Sequence, residues 1–270
     1  MQLSEKKVTL KPAVYIIGAG PGDPDLLTIK AYKILAQADV IIYANSLVPK
    51  QILQDVKPTA KLIPTGNKTL EDIIPLMIEN VKNNLIVVRL HSGDLTLYST
   101  INEQMQLLKE ANIPFELIPG ISAFQDAAAK LCTELTVPNL VQTIILTRIS
   151  GDASPVPERE NLASLAKHKA SICLYLSARH CAKVQEELLL HYPPDTTVAI
   201  CYRLGWEDEK ILVVSLNEMA KVTHENNLFR TTLYIISPAL KMINNDDNLI
   251  RSQLYNPNYS HSFRQEKNAN

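Results

Sequence analysis

The residues of this chain best suited to chemistry are a handful of glycines and the acids beside them. Gly18, Gly20 and Gly22 run into Asp23 in VYIIGAGPGDPDLLT, Gly93 and Asp94 sit in IVVRLHSGDLTLY, Gly120 in FELIPGISAF, Gly151 in LTRISGD and Gly205 in AICYRLGWEDE. The sequence has only eight glycines in 270 residues, and seven of them fall in these loop-like stretches beside β-branched runs. Glycine there lets the backbone bend sharply or a ligand come close, and strand ends of this kind build the ligand crevices of open α/β sheets. The implied chemistry is that of a small molecule held by main-chain loops.

A dinucleotide would need GxGxxG, whereas the first loop reads GxGxG with Asp23 where the third glycine belongs. Pro21 and Pro24 stiffen the loop, and an aspartate beside a pyrophosphate would repel it. Cys132, Cys173, Cys181 and Cys201 form no CxxC pair and the histidines no HxxxH or HExxH pattern, so reduced core thiols and no metal are expected. No Ser-His-Asp or Cys-His arrangement is visible.

The elements that must position these loops follow from periodicity. Strands are expected at AVYII, DVIIY, LIVVRL and IPFELI, then at QTIILT, SICLYL, TVAICY, KILVVS and TTLYIIS. Helical spacing runs through LLTIKAYKILAQ, LEDIIPLMIENV, YSTINEQMQLLKE, ENLASLAKH and AKVQEELLLHY. Such alternation means α/β, with largely parallel sheets. The seven residues RLGWEDE between TVAICY and KILVVS cannot hold a crossover helix, so the second half contains an antiparallel hairpin. Pro119 and Gly120 stop a strand and Ser122 can cap the helix AFQDAAAKL, which places the joint near residue 120. The expected organisation is an N-terminal α/β domain at 13–120, a C-terminal one with a mixed sheet at 121–240, and a linker and tail at 241–270.

Composition limits the partners. A formal net charge of -1 gives no overall field for nucleic acid, and 46% hydrophobic residues suffice for a sizeable core. The N-terminal lysines precede no apolar signal region, and no run approaches the ~18 to 20 apolar residues of a membrane span. A cytoplasmic protein with no membrane or nucleic-acid partner is expected.

Taken in order, GAGPGDPDLLT at 18–28, RLHSGDLTLYS at 89–99, PGISAF at 119–124 and the later LYLS and FRTTLYIIS segments resemble the tetrapyrrole (corrin/porphyrin) methylases. These are two-domain S-adenosylmethionine enzymes of sirohaem and cobalamin synthesis. The resemblance spans Val14 to Pro238. The segments IIYANSLV, TRISGDASPVPERENLASLA, YRLGWEDEKI and the tail LYNPNYSHSFR resemble the branch that methylates C11 of precorrin-4 or its cobalt form. The alternatives are a sibling acting on another precorrin carbon or on uroporphyrinogen, whose enzymes favour GGD where this chain has SGD, and a non-catalytic tetrapyrrole-binding protein.

The resemblance implies a methyl donor, S-adenosylmethionine, held by Pro21, by Ser92, Gly93, Asp94 and Leu97, by Ser122 and Ala123, and by contacts near Tyr175, Leu176, Leu204 and Thr232. It also implies a homodimer. The methylated ring must then lose a proton, for which Asp23 and Asp94 are candidate bases by position alone; Asp94 has a second reading as N-cap of the helix that follows. The family's usual GDP is here GDL; Leu95 leaves φ unfixed, which predicts a looser loop. A tetrapyrrole carries many carboxylates, so Arg89, Arg148, Arg203 and Arg230, at expected strand edges, are candidates to bind it. Tyr98, Tyr202 and Trp206 could stack on the macrocycle.

Overall fold

The computed structural model describes residues 10–151, 155–244, 259, 260 and 262. The chain divides into two compact units. The first runs to Asp126 and also takes in Arg203–Glu209; the second takes Ala127–Tyr202 and resumes at Lys210. The division falls inside a helix rather than at Gly120, and the first unit reclaims a segment from late in the sequence.

In the first unit, strands β1 (Val14–Gly18), β2 (Val40–Tyr43), β3 (Lys61–Pro64), β4 (Val87–His91) and β5 (Phe115–Ile118) form a five-stranded sheet in the order β3-β2-β4-β1-β5. Every pairing is parallel. The central strands are buried almost throughout, as both faces are covered. Helix α1 (Ile29–Leu35) packs Ala31, Ile34 and Leu35 against Ile17, Ile41 and Leu90 on one face. Helices α2 (Leu70–Lys82) and α3 (Ile101–Glu110) bring Met77 and Leu108 against Ile16, Ile42 and Val87 on the other. Thr69 and Asp72 close a capping box that starts α2.

Chain direction in this sheet locates its ligand edge. The connection leaving β1 goes to the α1 face, and the one leaving its neighbour β4 goes to the α3 face. Adjacent strands whose connections part to opposite faces open a crevice at their carboxyl ends. The loops after β1 and β4 are GAGPGD and HSGDL.

Helix α4 (Ala123–Lys130) follows β5. In the second unit, β6 (Ile144–Arg148), β7 (Ser171–Tyr175), β8 (Thr197–Tyr202), β9 (Lys210–Ser215) and β10 (Thr232–Ile236) lie in the order β6-β7-β10-β8-β9. Only β6 and β7 pair in parallel; β8 and β9 form the antiparallel hairpin expected around RLGWEDE. Helices α5 (Leu162–Ala166), α6 (Cys181–Leu189) and α7 (Met219–Glu225) supply Leu162, Val184, Leu188 and Met219 to a core with Ile200 and Tyr234.

No helix among the described residues is long and apolar enough to cross a membrane, and no group of His, Cys, Asp and Glu among them could hold a metal. All four cysteines are free; Cys132 is exposed, and burial pushes the Cys173 thiol up to about 12. Most of the expected tail at 241–270 lies outside the described residues, including Leu254 to Asn258 of LYNPNYSHSFR.

Candidate functional site

Three loops cross at the carboxyl edge of the first sheet with no room for side chains. A Cβ on Gly18 would lie 2.6 Å from the Gly93 carbonyl oxygen and 2.7 Å from the Gly120 nitrogen; one on Gly120 would lie 2.2 Å from that same oxygen. Gly93 donates to the Gly20 carbonyl at 2.7 Å, and Gly20 donates back at 3.2 Å. Glycine is required at the crossing because any Cβ would meet main chain. Gly93 itself, at φ 67°, faces open space, with nothing within 4 Å of the point a methyl group would occupy. Pro21, Ser92 and Gly93 are thereby brought together.

Asp94 does not cap a helix. The chain bends through Leu95–Thr100, with Tyr98 and Thr100 at positive φ, and α3 begins only at Ile101. Instead, Asp94 Oδ1 accepts from the Thr96 amide at 2.9 Å and from the Thr96 hydroxyl, while Oδ2 accepts from the Gly120 amide at 3.0 Å. Partial burial pushes its carboxyl up, but hydrogen bonds from Thr96, Gly120 and Leu95 outweigh that and hold it below the ordinary carboxylate value. The ionised carboxylate thus ties the second loop to the third. Leu95 is 5% exposed and packs in the α2/α3 core, so packing replaces the conformational restraint of proline and the loop is anchored where looseness was expected.

Arg89 is not at a strand edge. Strand β4 continues past it to His91, and its side chain is buried with His91 and Gln104. Its Nε donates to Gln104 Oε1 and its Nη1 to the Ile42 carbonyl, both at 3.3 Å. Among the described residues it has no carboxylate partner. Burial lowers the guanidinium to about 10, so it stays charged at neutral pH. Burial, with the Arg89 charge added, pushes His91 down to about 3; it is neutral, and its Nε2 is buried without a partner. A cation and an unsatisfied imidazole held together cost stability. His91 and Gln104 escaped sequence reasoning, although the buried run VVRLH carried the signal.

The segment Arg203–Glu209 packs on the first loop. A Cβ on Gly205 would lie 2.3 Å from the Asp23 nitrogen, and one on Gly22 2.7 Å from Trp206 Cδ1. Leu204 is buried. Trp206 stacks under the Arg203 guanidinium at 4.9 Å, and Arg203 pairs with Asp208 at 2.6 Å. Asp23 Oδ1 accepts from the Asp25 amide at 2.9 Å and caps the short 3-10 turn Pro24–Leu26.

In the second unit, four named residues share one sheet edge. Arg148 ends β6 opposite Tyr175 of β7, and Thr232 begins β10 opposite Tyr202 at the end of β8. Leu176, beyond Tyr175, has φ 51° and is 67% exposed, unusual for leucine on both counts. Arg230 is exposed two residues before Thr232. In the first unit Ser122 is buried at the start of α4, Ala123 and Leu97 are half-buried, and Tyr98 is exposed.

The family model of the tetrapyrrole (corrin/porphyrin) methylases matches residues 13–220. The cobalt-precorrin-4 C(11)-methyltransferase of Priestia megaterium is 41% identical over 252 residues, covering 93% of this chain and 97% of its own. The precorrin-4 C(11)-methyltransferase of Pseudomonas aeruginosa is 39% identical over 251 residues, covering 93% and 98%. A solved cobalamin biosynthetic enzyme, cobalt precorrin-4 methyltransferase, superposes with a TM-score of 0.82 at 41% identity, covering 85% of this chain and 96% of that one. With its loops, two sheets and full-length relatives in agreement, the chain belongs to the tetrapyrrole methylase family.

Proposed function

We propose that this protein transfers a methyl group from S-adenosylmethionine to C11 of precorrin-4 or its cobalt form in cobalamin synthesis. The observation that carries this reading is the main-chain crossing of GAGPGD, HSGDL and PGIS at one sheet edge, in a chain whose relatives of that name match nearly end to end.

The loops suit a cationic donor. Asp23 and Asp94 are their charged side chains, Asp94 is held ionised, and His91 beside them is neutral. No arginine or lysine lies within GAGPGD, HSGDL or PGIS, so a pyrophosphate would find no countercharge there. The open space at Gly93 supplies the close main-chain approach that the donor needs. When bound, S-adenosylmethionine supplies a sulfonium-activated methyl for an electron-rich ring carbon. The chain's part is to hold the loops in register, so that approach and choice of carbon are fixed by position. Both oxygens of Asp94 are engaged by the fold, which favours a positioning role over proton abstraction. In this reading Pro21, Ser92, Gly93, Leu97, Ser122, Ala123 and Leu204 meet the donor, and Tyr175, Leu176 and Thr232 are further candidates to touch it. Arg148 and Arg230 offer bidentate partners to substrate carboxylates; Arg203 would have to exchange its Asp208 partner for one, and Arg89 would have to reach one from inside β4.

The test is incubation with methyl-labelled S-adenosylmethionine and either precorrin-4 or cobalt-precorrin-4, with the new methyl located by carbon NMR. Label at C11 is expected; label at another ring carbon, or on uroporphyrinogen alone, would replace this assignment with a sibling's. The same reading includes a cytosolic homodimer, for which exposed Leu47 in LVPKQIL offers apolar contact surface. A monomer by light scattering at micromolar concentration would remove the dimer.

A further inference from the structure

Gln51 lies in the 3-10 turn Lys50–Leu53 between β2 and β3, a stretch with no motif. Ile52 and Leu53 are buried in the α1-side core and anchor the turn. From it the Gln51 Nε2 donates to two carbonyls, Gly22 at 2.8 Å and Gly205 at 2.5 Å. Those carbonyls belong to loops far apart in sequence, and each follows a residue expected to touch the donor: Pro21 in one, Leu204 in the other. The loops already meet closely, because Gly205 stands against the Asp23 nitrogen and the Leu204 carbonyl against Gly22. One amide nitrogen, with two protons directed at two acceptors, sets the spacing between them. A carboxylate at that place would turn a lone pair toward each carbonyl, and a thioether would offer no donor.

We infer that Gln51 is a positioning residue of the donor site: it fixes Pro21 and Leu204 through the carbonyls of Gly22 and Gly205. The inference rests on the donor reading above. Because Gln51 acts through the loops, its loss changes donor affinity more than the reaction rate at donor saturation.

The test uses the full chain with Gln51→Met, Gln51→Glu and the exposed neighbour Gln54→Met as control. S-adenosylhomocysteine is titrated calorimetrically well below each variant's melting temperature, and KM for S-adenosylmethionine and kcat are measured separately. Gln51→Met should weaken binding about tenfold, the worth of one or two lost hydrogen bonds, and Gln51→Glu further, with kcat changed less than KM and Gln54→Met like wild type. Should Gln51→Glu fail to fold, Gln51→Met carries the test alone. Unchanged affinity in folded Gln51→Met, with or without a lower melting temperature, would overturn the inference and leave the donor reading standing. Failure of the wild type to bind the ligand would remove the donor reading and this inference with it.

Discussion

The buried polar side chains of the two units are chemically different. Among the described residues of the second unit they are all hydroxyls: Thr147, Ser171, Ser177, Thr196, Thr223, Thr232 and Ser237. Several are visibly paired, Ser171 with the Leu135 carbonyl at 2.8 Å and with Ser237 at 2.7 Å, Thr223 with Tyr234 at 3.0 Å, and Thr232 with the Leu228 carbonyl at 2.8 Å. In the first unit they include a guanidinium, an imidazole with an unpartnered nitrogen, and an amide linking them. Paired neutral hydroxyls are inexpensive to bury, whereas a cation without a carboxylate is not. The buried polar groups of the second unit therefore cost little, whereas the first unit carries groups whose burial costs stability.

Glycine substitution should separate the units most sharply. Gly120→Ala puts a methyl 2.2 Å from main chain, whereas Gly151→Ala meets nothing within 4 Å. We expect the first to cost ~3 kcal/mol or more in urea unfolding and to abolish donor binding, and the second to stay within ~0.5 kcal/mol of wild type. Equal effects would erase the contrast.

Arg89→Met tests the charge directly. If the buried guanidinium serves function, kcat/KM should fall at least ~tenfold while the melting temperature holds or rises, as when a buried charge is replaced by a packed apolar side chain. A lower melting temperature with full activity would make Arg89 a structural residue. Ser171→Ala should do the reverse in the second unit, losing ~1 to 2 kcal/mol with affinity for S-adenosylhomocysteine unchanged.

The smallest effect is in pH. Because the folded-state pKa of Asp94 is depressed, its contribution is present at neutral pH and is lost as pH falls through that lowered value. Urea titrations from pH 7 to below about 4 should show the wild type losing stability more steeply than Asp94→Asn. Parallel curves would mean that the carboxylate ties nothing together.

Much of this was legible in the sequence, because the strands are apolar runs and the glycine loops fall at their ends. What was missed has local reasons. Strand β3 is four residues, KLIP, mostly exposed and closed by a proline, so no alternation could declare it. Helix α7 buries only Met219 and Thr223, too few to show a period. The capping role read for Asp94 failed because a turn of positive-φ residues separates it from α3, and local spacing does not reveal such bends. Gln51 and Gln104 act through contacts distant in sequence, to Gly205 and to Arg89, and no motif marks a lone glutamine.

The central claim is that the donor is held where the glycine loops cross, and hydrogen–deuterium exchange with and without S-adenosylhomocysteine tests it most directly. Protection is expected at 18–23, 92–97, 119–123 and 203–206, with no change inside the strands of the second unit, at 172–174, 198–201 and 233–236. Protection centred elsewhere, or none at ligand concentrations that saturate binding, would contradict it.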